Sequence, residues 1–296
     1  MPEGPELARS RDYLRKMLHG KFVHEIIPLE GGRYGGIDSD GIPGLDAYCD
    51  ENNATAQADG HAWAYGQPIG DVGVKGKFMW WGIGDWFLWC TYGMSGQWSA
   101  KYDPKHSACQ VCYNDSREPI HPCSQAVQTI NFNDPRHFGT LKLVRGRPAL
   151  LKKLASLGPD MLNDPPSPLE FQLRLSRRAT KTLAEALMDQ TVISGVGNYI
   201  KAEALYLAEI SPHRLVHTLG PNDVRRLRDQ IINVMQASYA NDGATIRSYL
   251  NVDGSKGGMK TRFLVYGNQT DPLGNPVVKE ETKDGRTTHW CPAIQK

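Results

Sequence analysis

The stretch Phe78-Met79-Trp80-Trp81-Gly82-Ile83-Gly84-Asp85-Trp86-Phe87-Leu88-Trp89 reads as a β-hairpin, because two runs rich in aromatic residues flank Gly84-Asp85, a dipeptide suited to a tight turn. Aromatic side chains fall at both odd and even positions of the two runs. Both faces of such strands need cover, which predicts a β-sandwich interior, with the tryptophans from Trp80 to Trp98 as core rather than as base-stacking platforms. Lys77 to Ile83, Trp86 to Tyr92 and Ala126 to Phe132 are the expected strands nearby. Toward the N-terminus, Leu7, Leu14, Met17 and Leu18 recur at helical spacing, so Glu6 to Leu18 is expected as a helix with Gly20 as its left-handed cap. Between helix and hairpin, Arg33 to Gly70 is polar, Gly-rich and aperiodic, and reads as a long loop or insertion.

Beyond residue 147 the period becomes helical. Helices are expected over Pro148 to Leu157, Ser167 to Ser176, Thr180 to Gln190 with Thr180 as N-cap, Tyr199 to Ile210, and after Gly220-Pro221, where Arg225, Arg226 and Arg228 read as a solvated face. The tail after Tyr249 returns to β-like residues between glycine turns. The fold class is therefore α+β, in two domains: residues 1–146, a helix with a β-sandwich, and residues 147–296, a helical domain ending in a β-hairpin from roughly residue 249 onward.

Composition narrows the setting. Hydrophobic residues at 40% and charged ones at 22% are ordinary for a globular chain, and no apolar run approaches the roughly 18 residues needed to span a bilayer, so no membrane partner is expected. The start of the chain lacks a basic-then-apolar signal, which predicts an intracellular protein whose six cysteines stay reduced. The net charge of +2 hides an asymmetry: residues 1–141 carry 12 Lys and Arg against 17 Asp and Glu, and residues 142–296 carry 22 against 15. The second half is the better surface for a polyanion. His106, Cys109, Cys112, His121 and Cys123 invite a zinc reading, but residues three apart on a straight strand face opposite sides. Buried thiols are the expectation there, and no metal.

The N-terminal Met1-Pro2-Glu3-Gly4-Pro5-Glu6 holds special chemistry if Met1 is removed, as a following proline normally allows. An α-amine titrates near 8, so part of it is unprotonated at neutral pH, where an ordinary lysine is not. A secondary amine attacking C1′ of a nucleotide displaces the base and yields an iminium, cationic at any pH. That electron sink acidifies the neighbouring sugar proton and lets phosphate leave by elimination. Glu3 is placed to act as general acid on the ring oxygen. Taken alone, the same residues read as an ordinary helix start, with prolines in the first turn and glutamates favoured by the dipole.

The wider pattern decides between these readings. Pro2-Glu3-Gly4-Pro5-Glu6, Lys77, Tyr92-Gly93-Met94-Ser95-Gly96, Asp134-Pro135-Arg136-His137-Phe138-Gly139, Leu157-Gly158-Pro159-Asp160 and Asp189-Gln190 through Gly195-Val196-Gly197-Asn198 occur in this order. Together they resemble the formamidopyrimidine-DNA glycosylase and endonuclease VIII (Fpg/Nei) family over nearly the whole chain. The resemblance implies Pro2 as nucleophile, Glu3 as general acid and Lys77 as a hairpin lysine that contacts phosphate and assists base loss. It implies that Met94, Arg136 and Phe138 fill the duplex after the damaged nucleotide rotates out, where inserted side chains partly restore lost stacking. It assigns Asn198 and the Gly195–Asn198 backbone to a helix/two-turn/helix phosphate grip, to which Lys181 adds charge.

The family's last element is normally a four-cysteine zinc finger, yet the segment from Val265 to Pro292 offers only Cys291. One thiol cannot hold structural zinc. The chain therefore resembles the zincless-finger, Nei-like branch, with Arg286 as the phosphate-binding arginine and the hairpin held by Phe263, Val265, Val277 and Trp290. Implied with it are a bifunctional DNA glycosylase and AP lyase with no metal or organic cofactor, and a partner DNA, containing oxidised bases or abasic sites, lying in a basic interdomain cleft. Also implied are oxidised pyrimidines and further-oxidised guanine products as substrates, β- and δ-elimination, and action as a monomer in a nuclear, viral or cytoplasmic DNA compartment. Preference for oxidised purines and DNA-lesion binding without catalysis are the rival readings. The loop Gly254 to Gly258 matches a lesion-capping loop in the family and is otherwise only flexible by composition.

Overall fold

The computed structural model describes residues 2–29, 66–118, 127–241, 243 and 263–296. Its first helix, α1 (Gly4–Leu18), buries Leu7, Leu14 and Leu18 on one face and ends before Gly20, whose φ of 72° is the expected left-handed cap. Eight strands follow: β1 (Phe22–Pro28), β2 (Gln67–Lys75), β3 (Phe78–Ile83), β4 (Trp86–Thr91), β5 (Gln97–Ser99), β6 (Ser107–Asn114), β7 (Gln128–Asn133) and β8 (Thr140–Arg145). The hairpin lies where its residues place it. Ile83 pairs with Trp86 across Gly84-Asp85, and Gly84 takes a φ of 55° that a side chain would strain.

All eight strands form one antiparallel ladder in the order β5-β7-β6-β1-β2-β3-β4-β8. β2 is its corner: Gln67 and Pro68 pair with β1, whereas Ile69 onward pairs with β3, across a register shift between Ile69 and Val72. Trp81 on β3 and Trp98 on β5 are five strand spacings apart along the ladder, roughly 24 Å in a flat sheet. Their ring centroids are 4.3 Å apart. The sheet therefore folds back on itself as a β-sandwich whose core holds Trp81, Trp98, Phe132 and the α1 leucines, with the Ser10 and Tyr92 hydroxyls hydrogen-bonded beneath α1.

Several local expectations need correction. Gln67 to Gly70, expected in the long loop, open β2, because Gln67 and Pro68 pair with β1 and Ile69 pairs with β3. Residues 33–65 of that loop, His121, Cys123 and the Gly254–Gly258 loop lie outside the described residues. Cys109 and Cys112 are both buried on β6, and burial pushes the Cys112 thiol up to about 11, which disfavours the thiolate a metal requires.

The helical half contains α2 (Arg147–Ser156), α3 (Pro168–Ser176), α4 (Leu183–Met188), α5 (Asn198–Leu207) and α6 (Pro221–Ala240), then the hairpin of β9 (Val278–Glu281) and β10 (Thr287–Trp290). The helix expected from Thr180 begins only at Leu183. Thr182, not Thr180, is its N-cap, because Thr182 and Glu185 form a reciprocal capping box and residues before them make turns. Arg226 and Arg228, expected to be merely solvated, donate to the carbonyls of Ala208 and Pro166. The chain divides into two compact units, one of Pro2 and Leu7–Lys153, the other of Glu3–Glu6, residues 154–241 and 263–296. Among the described residues no helix is long and apolar enough to cross a membrane.

Candidate active site and nucleic-acid interface

In the first unit, Lys77 is half-buried in the two-residue turn Gly76-Lys77 that joins β2 to β3, at the opposite end of β3 from the Gly84-Asp85 turn of the hairpin expected from the sequence. Met94, Arg136 and Phe138 come together on two adjoining loops. The buried Asp134 carboxylate accepts from the Ser95 hydroxyl (2.8 Å) and the Gly139 amide (2.6 Å), while Ser95 accepts from the Arg136 amide (3.1 Å). This clamp aims the side chains outward: the Arg136 guanidinium lies 3.9 Å from the Met94 sulfur, and Phe138 is 54% exposed. An aromatic ring so exposed on a rigid loop is a feature a folded core does not require.

In the second unit, Glu3 reaches the N-terminus of α5. Its carboxylate accepts from the amides of Tyr199 (2.9 Å) and Ile200 (3.3 Å), the second and third residues of that helix. The N-cap, Gly197, makes no side-chain cap bond, so a residue from the start of the chain supplies the anion that the helix end favours. Gly197 is required by space: a Cβ there would stand 2.1 Å from the Glu3 carboxyl carbon. Glu6 holds the arrangement from the other side, accepting from the Glu3 amide (2.8 Å) and the Tyr199 hydroxyl (3.0 Å), with the Ser238 hydroxyl beside them. Burial, then the charges of Glu6 and Glu3, push the Tyr199 hydroxyl well above its ordinary range and keep it a donor. Pro2, which is counted with the first unit, is buried and directly precedes Glu3 in the sequence.

The same unit carries the remaining residues. Asn198 opens α5, where a helix was expected only from Tyr199, and donates to the Thr287 carbonyl (2.8 Å), while its Oδ1 is buried without a partner. Arg286 is exposed at the turn between β9 and β10. Lys181 is half-exposed but donates to Glu185 (2.9 Å), and that bond is the first cause of the Glu185 carboxyl lying at about 2, so the lysine's charge is partly spent within the protein. Sequence reasoning missed Glu6, Tyr199, Lys201, Glu203 and Asp284. For two of them, Lys201 and Glu203, only the structure gives the reason: α5 is buried from Tyr199 to Tyr206, and its charges are buried with it.

The hairpin finger does not fit zinc. Cys291 is buried with its Sγ 3.5 Å from Asp271, whose carboxylate already accepts from the amides of Leu273 and Asn275 and from the Asn275 side chain. Among the described residues no group of three His, Cys, Asp or Glu gathers in metal-binding geometry. The finger is instead fastened to α5. The Glu203 carboxylate accepts from the amides of Leu264 (2.7 Å), Val265 (3.0 Å) and Tyr266 (2.7 Å), and Val265, Val277 and Cys291 pack on Ala202 and Tyr206. Of the other two residues expected to hold the hairpin, Phe263 lies tilted against Tyr199 of α5 and edge-on to Tyr266, and Trp290 lies edge-on to His213, outside the apolar cluster of Val265 and Val277.

Comparison with known proteins agrees with this geometry. A profile of the formamidopyrimidine-DNA glycosylase H2TH domain matches residues 157–249, and one of the C-terminal domain of the same enzymes matches residues 259–296. The formamidopyrimidine-DNA glycosylase of Thermus thermophilus is 30% identical over 302 aligned positions covering 100% of this chain and 98% of its own length; that of an Exiguobacterium species is 26% identical over 100% of both. The crystal structure of the Thermus thermophilus MutM (Fpg) protein superposes with a TM-score of 0.78 at 28% identity, covering 99% of this chain and 98% of its own. A Lactococcus lactis Fpg variant bound to DNA containing Fapy-dG superposes with a TM-score of 0.79 at 26% identity over the full length of both chains. The fold and these matches define the class as a DNA glycosylase with a helix/two-turn/helix domain. The chain belongs to the formamidopyrimidine-DNA glycosylase family, enzymes that act on oxidised bases and are known also for AP lyase activity.

Proposed function

We propose that the mature chain removes oxidised bases from DNA and cuts the strand through the secondary amine of Pro2. The observation that carries this reading is the Glu3 carboxylate seated on the α5 N-terminus, one residue from Pro2. The amine's lone pair forms the bond to C1′ as the glycosidic bond breaks and the base leaves. Glu3 delivers a proton to the ring oxygen, and the opened sugar becomes an iminium. Loss of a C2′ proton then expels the 3′ phosphate, and a second elimination expels the 5′ phosphate. Lys77 and Asn198 grip the flanking phosphates with Arg286, Lys181 adds charge near them, and Met94, Arg136 and Phe138 occupy the space of the rotated nucleotide. Neither metal nor organic cofactor enters a step, and the enzyme acts as a monomer.

The zincless finger supports placing the chain in the Nei-like branch, with oxidised pyrimidines and further-oxidised guanine as substrates. A second reading, formamidopyrimidine purines, is favoured by the name shared by the matched relatives and by the Fapy-dG DNA held by the Lactococcus lactis neighbour. Cleavage of a panel of duplexes, each with one lesion, separates the two by rate. The same duplexes with borohydride test the chemistry. A covalent adduct is expected from the native chain, and its loss from Pro2→Gly or from a chain extended before Pro2; undiminished trapping by the extended chain refutes the Pro2 assignment.

A further inference from the structure

Lys201 on α5 is fully shielded from solvent, with its Nζ 2.5 Å from Asp284 Oδ2, itself only 4% exposed. Burying two charges sacrifices their hydration, and apolar residues of similar volume often hold a fold as well. A pair hidden this way calls for a role other than stability. Asp284 sits in the turn between β9 and β10, two residues before Arg286. Its second oxygen accepts from the Thr282 hydroxyl (2.5 Å) and the Arg286 amide (3.4 Å), and the Thr282 amide donates to the Arg286 carbonyl (3.0 Å). The backbone around Arg286 is thus tied, through one carboxylate, to a lysine of α5. Three residues earlier on the same helix, Asn198 donates to the carbonyl of Thr287, the residue that follows Arg286. Burial lowers the Lys201 ammonium, Asp284 and then the charge of Glu3 raise it, and the charge of Arg286 lowers it, so all three charged groups act on this one amine.

We propose that Lys201 is a positioning residue: its pair with Asp284 latches the hairpin tip to the first turn of α5, so that Arg286, Asn198 and the helix N-terminus meet DNA phosphates at one fixed spacing. The proposal rests on the reading of Arg286 and Asn198 as phosphate ligands. Neither Lys201 nor Asp284 is exposed enough to touch phosphate itself.

The test is the salt dependence of binding to a duplex carrying one tetrahydrofuran abasic analogue. Each phosphate contact contributes about 0.9 to the slope of log affinity against log salt. Arg286→Ala and Lys201→Met are each expected to weaken binding and to flatten the slope by about that amount, and the two together to flatten it no further, since an unlatched Arg286 no longer reaches its phosphate. A wild-type slope in Lys201→Met, or additive flattening in the double variant, overturns the latch. An unchanged slope in Arg286→Ala instead removes the phosphate role of Arg286, and the latch falls with it. Because Lys201→Met strands the Asp284 charge, Lys201→Met/Asp284→Asn serves as the folding control. It is expected to melt near the wild type yet keep the flattened slope, and a restored slope in this neutral pair overturns the proposal.

Discussion

Glu3 reaches the two helix amides only because one residue leaves room for its carboxylate. That residue is Gly197. Its missing side chain is what admits the carboxylate to the helix end, where a Cβ would stand 2.1 Å from the Glu3 carboxyl carbon. Gly197→Ala is expected to push the carboxylate off the Tyr199 and Ile200 amides and to slow base removal by roughly 100-fold, the scale of a misplacement of about 1 Å in a catalytic group. Single-turnover rates on a lesion duplex measure this. A wild-type rate in Gly197→Ala would remove Glu3 from the chemistry. The glycine run before Asn198 was legible in the sequence, but its partner was not, because 194 positions separate Gly197 from Glu3 and no local period links them.

Among the described residues, the finger is fastened without a cluster of metal ligands. Where four thiolates would clamp a metal, Glu203 gathers three backbone amides and an apolar cluster closes over Cys291. Replacing Glu203 by Gln keeps one acceptor and turns an amide donor toward donors, which is expected to cost about 2 kcal/mol, a shift of a few degrees in Tm. A chelator is expected to leave both Tm and activity unchanged. Thermal melts with and without chelator check both, and stoichiometric zinc in the purified protein, or a melt lowered by chelator, contradicts this account of the finger. The hairpin and the presence of a single cysteine, Cys291, could be read in the sequence, as could the turn carrying Arg286. The fastening could not: Glu203 looks like one more helix-surface glutamate until the whole of α5 is seen to be enclosed. The start of α4 did carry a local signal: Thr182 is followed three residues later by Glu185, which completes a capping box, whereas Thr180 is followed at that distance by Leu183.

Across the molecule, the residues that carry the resemblance run from Pro2 to Arg286 and divide between two units, each with its own core. The aromatic hairpin disclosed the first unit, and helical spacing the second. The sequence could not disclose that a single ladder bends at β2, because Gln67 to Gly70 carry turn residues and commit to a strand only with β1 beside Gln67 and Pro68 and β3 beside Ile69. The excess of Lys and Arg lies in the second half, where the helix end, Arg286 and the hidden Lys201 belong to one unit. Every chemical step proposed for this assembly begins from one nitrogen. Peptide mapping of the borohydride-trapped adduct by mass spectrometry locates it directly. The account expects the reduced sugar fragment on a peptide that begins at Pro2, with Met1 gone; a fragment carried by any lysine, or a trapped chain that still retains Met1, would contradict it.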